Sequence, residues 1–179
     1  MLIDRIIGVF KLNIDTFEEI EADEGATGQA ALVVLVVALI GALGSGVGAS
    51  FTNTSFFSSF LSSLIGTFVG WIAWSFVTYF VGTTFFNGKS NPGQMLRVIG
   101  FAYAPQVLAI IPCIGWIVGA IWSLIAAFIA IRQGLDLDNT KAFFTIVVGF
   151  IAFVIVMALV GLIFGVTAAG FGALAGVFS

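Results

Sequence analysis

Few residues in this chain carry side chains able to do chemistry, and their kinds exclude more than they offer. None of the 179 residues is histidine, which removes the usual near-neutral general base and the commonest metal ligand. Cys113 is the single cysteine, leaving no internal disulfide and no cysteine metal cluster. Asp136 and Asp138 lack the ligand count of a calcium loop. The acidic block Glu18, Glu19, Glu21, Asp23 and Glu24 is able to attract a cation or a basic partner, but reads first as a solvated face. Gly44-Ser45-Gly46-Val47-Gly48-Ala49 has loose dinucleotide-type spacing without the required strand before it. Asn53-Thr54-Ser55 is a formal glycosylation sequon in a short loop. No nucleophile stands beside a base. The expectation is therefore no catalytic residue, no cofactor, no metal and no nucleic-acid partner.

The better candidates are uncharged polar residues inside apolar stretches, because polar groups at membrane depth mark pathways or helix contacts. These are Ser75, Thr78, Tyr79, Tyr103, Gln106 and Ser123. Pro105 stands between Tyr103 and Gln106, where it removes a backbone hydrogen bond and kinks a helix. The freed carbonyl and the primary amide need partners, so this point is expected to face the bundle. Arg97, over one turn into the same segment, is expected to snorkel back to the headgroups. Trp71, Trp74 and Trp122 fall at mid-span and read as packing; Trp116 fits an interfacial belt.

What positions these residues follows from composition. The chain is 60% hydrophobic and 8% charged, with a mean hydropathy of +1.20. Soluble domains carry about 25% charged residues, and a soluble fold of this size cannot hide so much apolar surface. Lipid must be the solvent for most of it. The fold class is accordingly all-α, a polytopic membrane bundle of five transmembrane helices preceded by an amphipathic interfacial helix.

All fifteen charged side chains fall in three places: nine in residues 1–24, then Lys89 and Arg97, then four from Arg132 to Lys141. A span needs roughly 20 apolar residues, which places spans near 29–49, 61–84, 93–111, 115–132 and 142–165. Five crossings put every Lys and Arg on one side, assigned to the cytoplasm by the positive-inside rule. The domains read as a cytoplasmic segment 1–27, a membrane domain 28–165, and a Gly/Ala-rich tail 166–179 at the outer interface or against the bundle. The protein is placed in the cell membrane, N-terminus cytoplasmic and C-terminus outside.

Local signals refine the boundaries. Ile3, Ile6, Ile7, Phe10, Ile14 and Phe17 recur at helical spacing among charges, predicting an amphipathic helix on the cytoplasmic leaflet. Thr16 with Glu19 has capping-box spacing for a second short helix. Asn91-Pro92-Gly93-Gln94 reads as N-cap, first-turn proline and capping-box glutamine. Asn139 or Thr140 is expected to cap the last span. The stripe Gly115, Gly119, Ser123 and Ala127 lets helix backbones approach closely; it reads as internal packing, with a homo-oligomer interface as the second reading.

The stretch FFNGKSNPGQMLRVIGFAYAPQVLAIIPCIGWIVGAIWSLIAAFIAIRQGLDLDNTKAF, residues 85–143, resembles the Ypt-interacting-protein (YIP) family of five-span membrane proteins and looks like a prokaryotic member. GFAYAP at 100–105, IPCIGW at 111–116 and the polar loop before the last span carry the likeness. The resemblance implies a cytoplasmic N-terminus and an odd number of spans. Eukaryotic members act in Golgi and ER trafficking and bind prenylated Rab GTPases through a longer N-terminal region with a DLYGP-like motif. That motif is missing here, so GTPase binding is not carried over. Two functions are expected: a non-enzymatic scaffold that binds a cytosolic or membrane partner or organises the bilayer, or a small neutral channel or transporter constricted at Tyr103, Pro105 and Gln106.

Overall fold

A computed structural model describes residues 1–179 apart from 50, 52, 53, 112, 113, 178 and 179, and the backbone alone for 163–177. The sequon asparagine Asn53, Cys113 and the side chains of the 166–179 tail lie outside the described residues. Among the described residues there are seven α-helices: α1 Leu2–Phe10, α2 Ile14–Ala22, α3 Ala26–Ala49, α4 Phe56–Phe86, α5 Pro92–Ala102, α6 Gly115–Gly134 and α7 Asn139–Val177. A 3-10 segment, Ala104–Ile110, joins α5 to α6.

Four helices (α3, α4, α6 and the described part of α7) are long and apolar enough to cross a membrane. The third predicted span, 93–111, expected to kink at Pro105, is divided there into α5 and the 3-10 segment, so it does not count among the four long helices. Pro105 has no N–H to donate and its ring opposes the carbonyl four residues back. The chain answers with tighter i→i+3 bonding: Tyr103 N donates to Gly100 O at 3.3 Å and Gln106 N to Tyr103 O at 2.9 Å. At 1.5 Å per α residue and 2.0 Å per 3-10 residue, the two pieces still measure about 30 Å together.

α6 runs antiparallel along both pieces. A side chain at Gly115 would meet Leu108 O, one at Gly119 would meet Pro105 O, and one at Gly134 would meet Val98 and Met95. The broken segment thus flanks α6 from end to end. α3 and α4 form a second antiparallel pair, with the Phe56 ring seated on Gly46.

The packed core gathers at one end of the bundle, where Phe17, Ile20, Met95, Val98, Phe101, Ala130, Ile131 and Leu135 are all buried. That is also where the three charged clusters meet. Lys89 N donates to Leu135 O at 2.9 Å, and Gln133 Nε2 donates to Glu18 Oε1 at 2.7 Å. The capping box at Asn91 and Gln94 forms as the sequence spells it, and Asn87 ends α4 in the left-handed conformation at φ 57°.

The N-terminal segment forms an amphipathic helix and a second short helix, folded back on each other as a hairpin. α1 stops at Phe10, Leu12 turns the chain at φ 55°, and α2 returns against α5 and α6. Asn13, not Thr16, caps α2, its side chain accepting from Asp15 N at 2.9 Å. Thr16 instead packs on Gly8, and Glu19 is occupied by Arg5. At α7 the first-turn N–H of Lys141 is met by Asp138 Oδ1, one residue ahead of the predicted cap at Asn139 or Thr140. The aspartate wins because its carboxylate is also favoured by the positive end of the helix dipole.

Candidate functional site: a side-opening crevice and a clamped hairpin

The six polar residues of the apolar stretches divide once their surroundings are known, Tyr79 being half-buried and packed against the core. Ser75 Oγ donates to Trp71 O at 2.8 Å and Thr78 Oγ1 to Trp74 O at 2.8 Å. Both hydroxyls are satisfied by their own helix, so they are structural. Ser123 is 6% exposed, and its buried Oγ has no hydrogen-bond partner among the described residues. Tyr103 and Gln106, for their part, line the same crevice as Ser123.

That crevice has a volume of about 430 Å³ and lies between α4, α5, the 3-10 segment, α6 and α7. Its walls also bring Trp74, Phe153 and Ala127 together, with Trp74 and Phe153 packed edge to face at 5.6 Å. Leu124 and Phe150 on its rim are 68% and 60% exposed, so it opens sideways, toward lipid. Ser123 is eight residues from the start of α6 and eleven from its end, within about 3 Å of the helix midpoint. The site therefore sits near the middle of the apolar layer.

The small-residue stripe splits in function. Gly115 and Gly119 admit the backbone of the 3-10 segment, whereas Ser123 and Ala127 face the crevice. Pro105 is buried, its carbonyl against Gly119, and belongs to the packing surface.

Arg97 is not in this site, nor does it reach the headgroups. It is 5% exposed and donates from Nε to Ile20 O at 3.2 Å and from Nη2 to Glu21 O. These are carbonyls at the end of α2, which a helix leaves without internal partners. The short α2 and its unfilled carbonyls offered a nearby cation better acceptors than distant headgroups. Trp122 likewise corrects its packing assignment: it is 38% exposed, and its indole N–H donates to Phe10 O at 3.0 Å.

Arg5 is a residue that sequence reasoning passed over. It is 7% exposed and donates to Glu19 Oε1, Asp23 Oδ2 and Gln29 Oε1 at 2.7–3.0 Å. It thereby ties α1, α2 and α3 together. The signal was present as the one cation of a mostly apolar helix, followed by a surplus of carboxylates. Asp23 is held below the usual carboxylate range by Arg5 and by the N–H of Gly25.

Glu21 behaves oppositely. Burial, first, and then Asp136 and Glu18 push its carboxyl up to about 6, against the pull of Arg97. Between the ordinary carboxylate range and pH 6 the folded hairpin therefore binds more protons than the unfolded one. Its attachment strengthens as pH falls through that window. Amide exchange of residues 14–22, corrected for intrinsic rate, is expected to be slower at pH 5 than at pH 7. Glu21→Gln should give the slower rate at both values; a pH response that survives this change would refute the assignment.

Architecture and charge pattern together define a multi-pass helical membrane protein. The family model described as Yip1 domain matches residues 7–162, and the chain belongs to the Yip1-domain family. No curated protein and no solved structure matches it.

Proposed function

We propose that this Yip1-domain protein is a non-enzymatic module that organises the bilayer from the cytoplasmic side, its backbone crossing five times. The α1–α2 hairpin is the working part. The observation that carries this reading is the run of contacts the hairpin makes down α6. Glu18 meets Gln133 at one end and Phe10 O meets Trp122 at the other. Eleven residues of helix separate those points, about 16 Å. Ile6 and Phe10 reach a depth shared with Val36, Val37 and Ala104.

The hairpin thus occupies space that lipid of one leaflet would otherwise fill. Its outer face mixes exposed Ile3 and Ile7 with Asp4 and Lys11, the composition of an interfacial helix. Added cross-section in a single leaflet favours curvature toward that leaflet. The positive-inside rule assigns it to the cytoplasmic one.

The test is morphology. Purified protein at high density in phosphatidylcholine vesicles is expected to draw out narrow tubules or small vesicles, read by electron microscopy. A chain lacking residues 2–22, and independently Arg5→Met with the hairpin still present, should leave the vesicles round. Tubules of the same calibre from all three would overturn the reading. A channel finds less support, since Tyr103 and Gln106 face a crevice open to the side and Pro105 is packed away.

A further inference from the structure

We propose that the mid-depth crevice is a binding site for a neutral, ring-headed lipid of the quinone class. Three properties of the site select this chemistry, and none depends on the hairpin. The first is depth. A phospholipid keeps its head at the interface, so only its acyl chains would reach Ser123, and an acyl chain satisfies no polar group. Polar groups without partners in hydrocarbon are costly, and Tyr103 and Gln106 present a hydroxyl and an amide there. The occupant must bring acceptors to the middle of the bilayer.

The second property is charge. Among the described residues no Asp, Glu, Lys or Arg lines the crevice, and a charged head would find no counter-ion. A phenolic hydroxyl and a primary amide can each donate to a carbonyl oxygen. The third is shape. Trp74, Tyr103 and Phe153 give flat apolar walls, suited to stacking on a planar ring. The lining runs from Ala120 to Ile131 along α6, about 16 Å, which leaves room for a head and the first part of an apolar tail. The open side lets the rest of the tail stay in lipid. Tyr103 and Gln106 are the donors to the ring oxygens.

Decylubiquinone is the probe. Added to the purified full-length chain in maltoside micelles, it is expected to quench tryptophan emission saturably, because Trp74 lines the site. Tyr103→Phe keeps the ring and removes only the hydroxyl, and should raise the apparent Kd about three- to tenfold, the range for one neutral hydrogen bond. Gln106→Met, close in volume, should do the same, with unchanged thermal unfolding confirming that both variants fold. Undecane, a tail without a head, should not compete. Linear quenching that is equal in the parent and both variants would overturn the proposal. So would competition by undecane as effective as by unlabelled quinone, which would make the crevice an acyl-chain groove.

Discussion

Arg97→Met is expected to release the α1–α2 hairpin, raising amide exchange across residues 14–22 by about 30-fold to 700-fold. Methionine keeps much of the packing volume and removes only the guanidinium. What is lost is the pair of charge-assisted bonds to Ile20 O and Glu21 O. Such bonds contribute about 1.5–3 kcal/mol each, and buried acceptors left alone bear their full desolvation cost. Arg5 and the apolar contacts of Phe17 and Ile20 remain, so the net local effect is about 2–4 kcal/mol, at tenfold per 1.4 kcal/mol. Lysine is not expected to rescue, since a single ammonium lacks the fork that spans two adjacent carbonyls. Unchanged exchange in Arg97→Met would show that the hairpin is held by apolar contact alone. Because the vesicle-shaping role needs a docked hairpin, this variant should also lose tubulation.

The second large effect is expected at the seam between α6 and the 3-10 segment. A β-carbon on Gly115 would overlap Leu108 O and lie 2.8 Å from Ile111 Cβ. The first of these is a backbone carbonyl, which cannot swing aside as a side chain would. Gly115→Ala therefore forces α6 away from its partner by more than an ångström. Overpacking of this kind costs about 3 kcal/mol, a fall of about 6–12 °C in Tm for a domain of this size. Gly66→Ala is the control. Nothing lies within 4 Å of a β-carbon there, and replacing a helical glycine by alanine stabilises by about 1 kcal/mol. The two substitutions are chemically identical and should move Tm in opposite directions. Equal shifts would show that the seam is looser than its contacts indicate.

Gly115 and Gly66 also show where sequence reading stops. Gly66, between Ser62 and Gly70, has the same four-residue spacing of small residues as Gly115, so spacing cannot tell the two apart. Only the position of Leu108 against the start of α6 makes one indispensable and leaves the other free. The same holds for the polar residues: Ser75 and Ser123 are each a serine in an apolar helix. One finds its own helix carbonyl and the other faces a crevice whose walls come from five separate segments.

Arg97 teaches a related lesson. Its depth in the chain predicted snorkelling to headgroups, because lipid was the only environment the sequence specified. The real partner, the end of α2, lies 76 residues away and exists only after the hairpin folds back. That reversal turns on Leu12 at φ 55°, a conformation no local signal announces for leucine.

What the residue order alone settled is the solvent and the class. Charge-free tracts of 20 residues or more must sit in lipid as helices, since no other open structure satisfies its backbone there. The capping box at Asn91 and the break at Pro105 were equally local, each arising from hydrogen bonds within four residues. The tertiary structure alone decided which polar groups stay unpaired, which glycines are crowded and what holds the hairpin. Those properties depend on contacts between segments far apart in the chain, and apolar helices in lipid carry little sequence information about which neighbour they will meet.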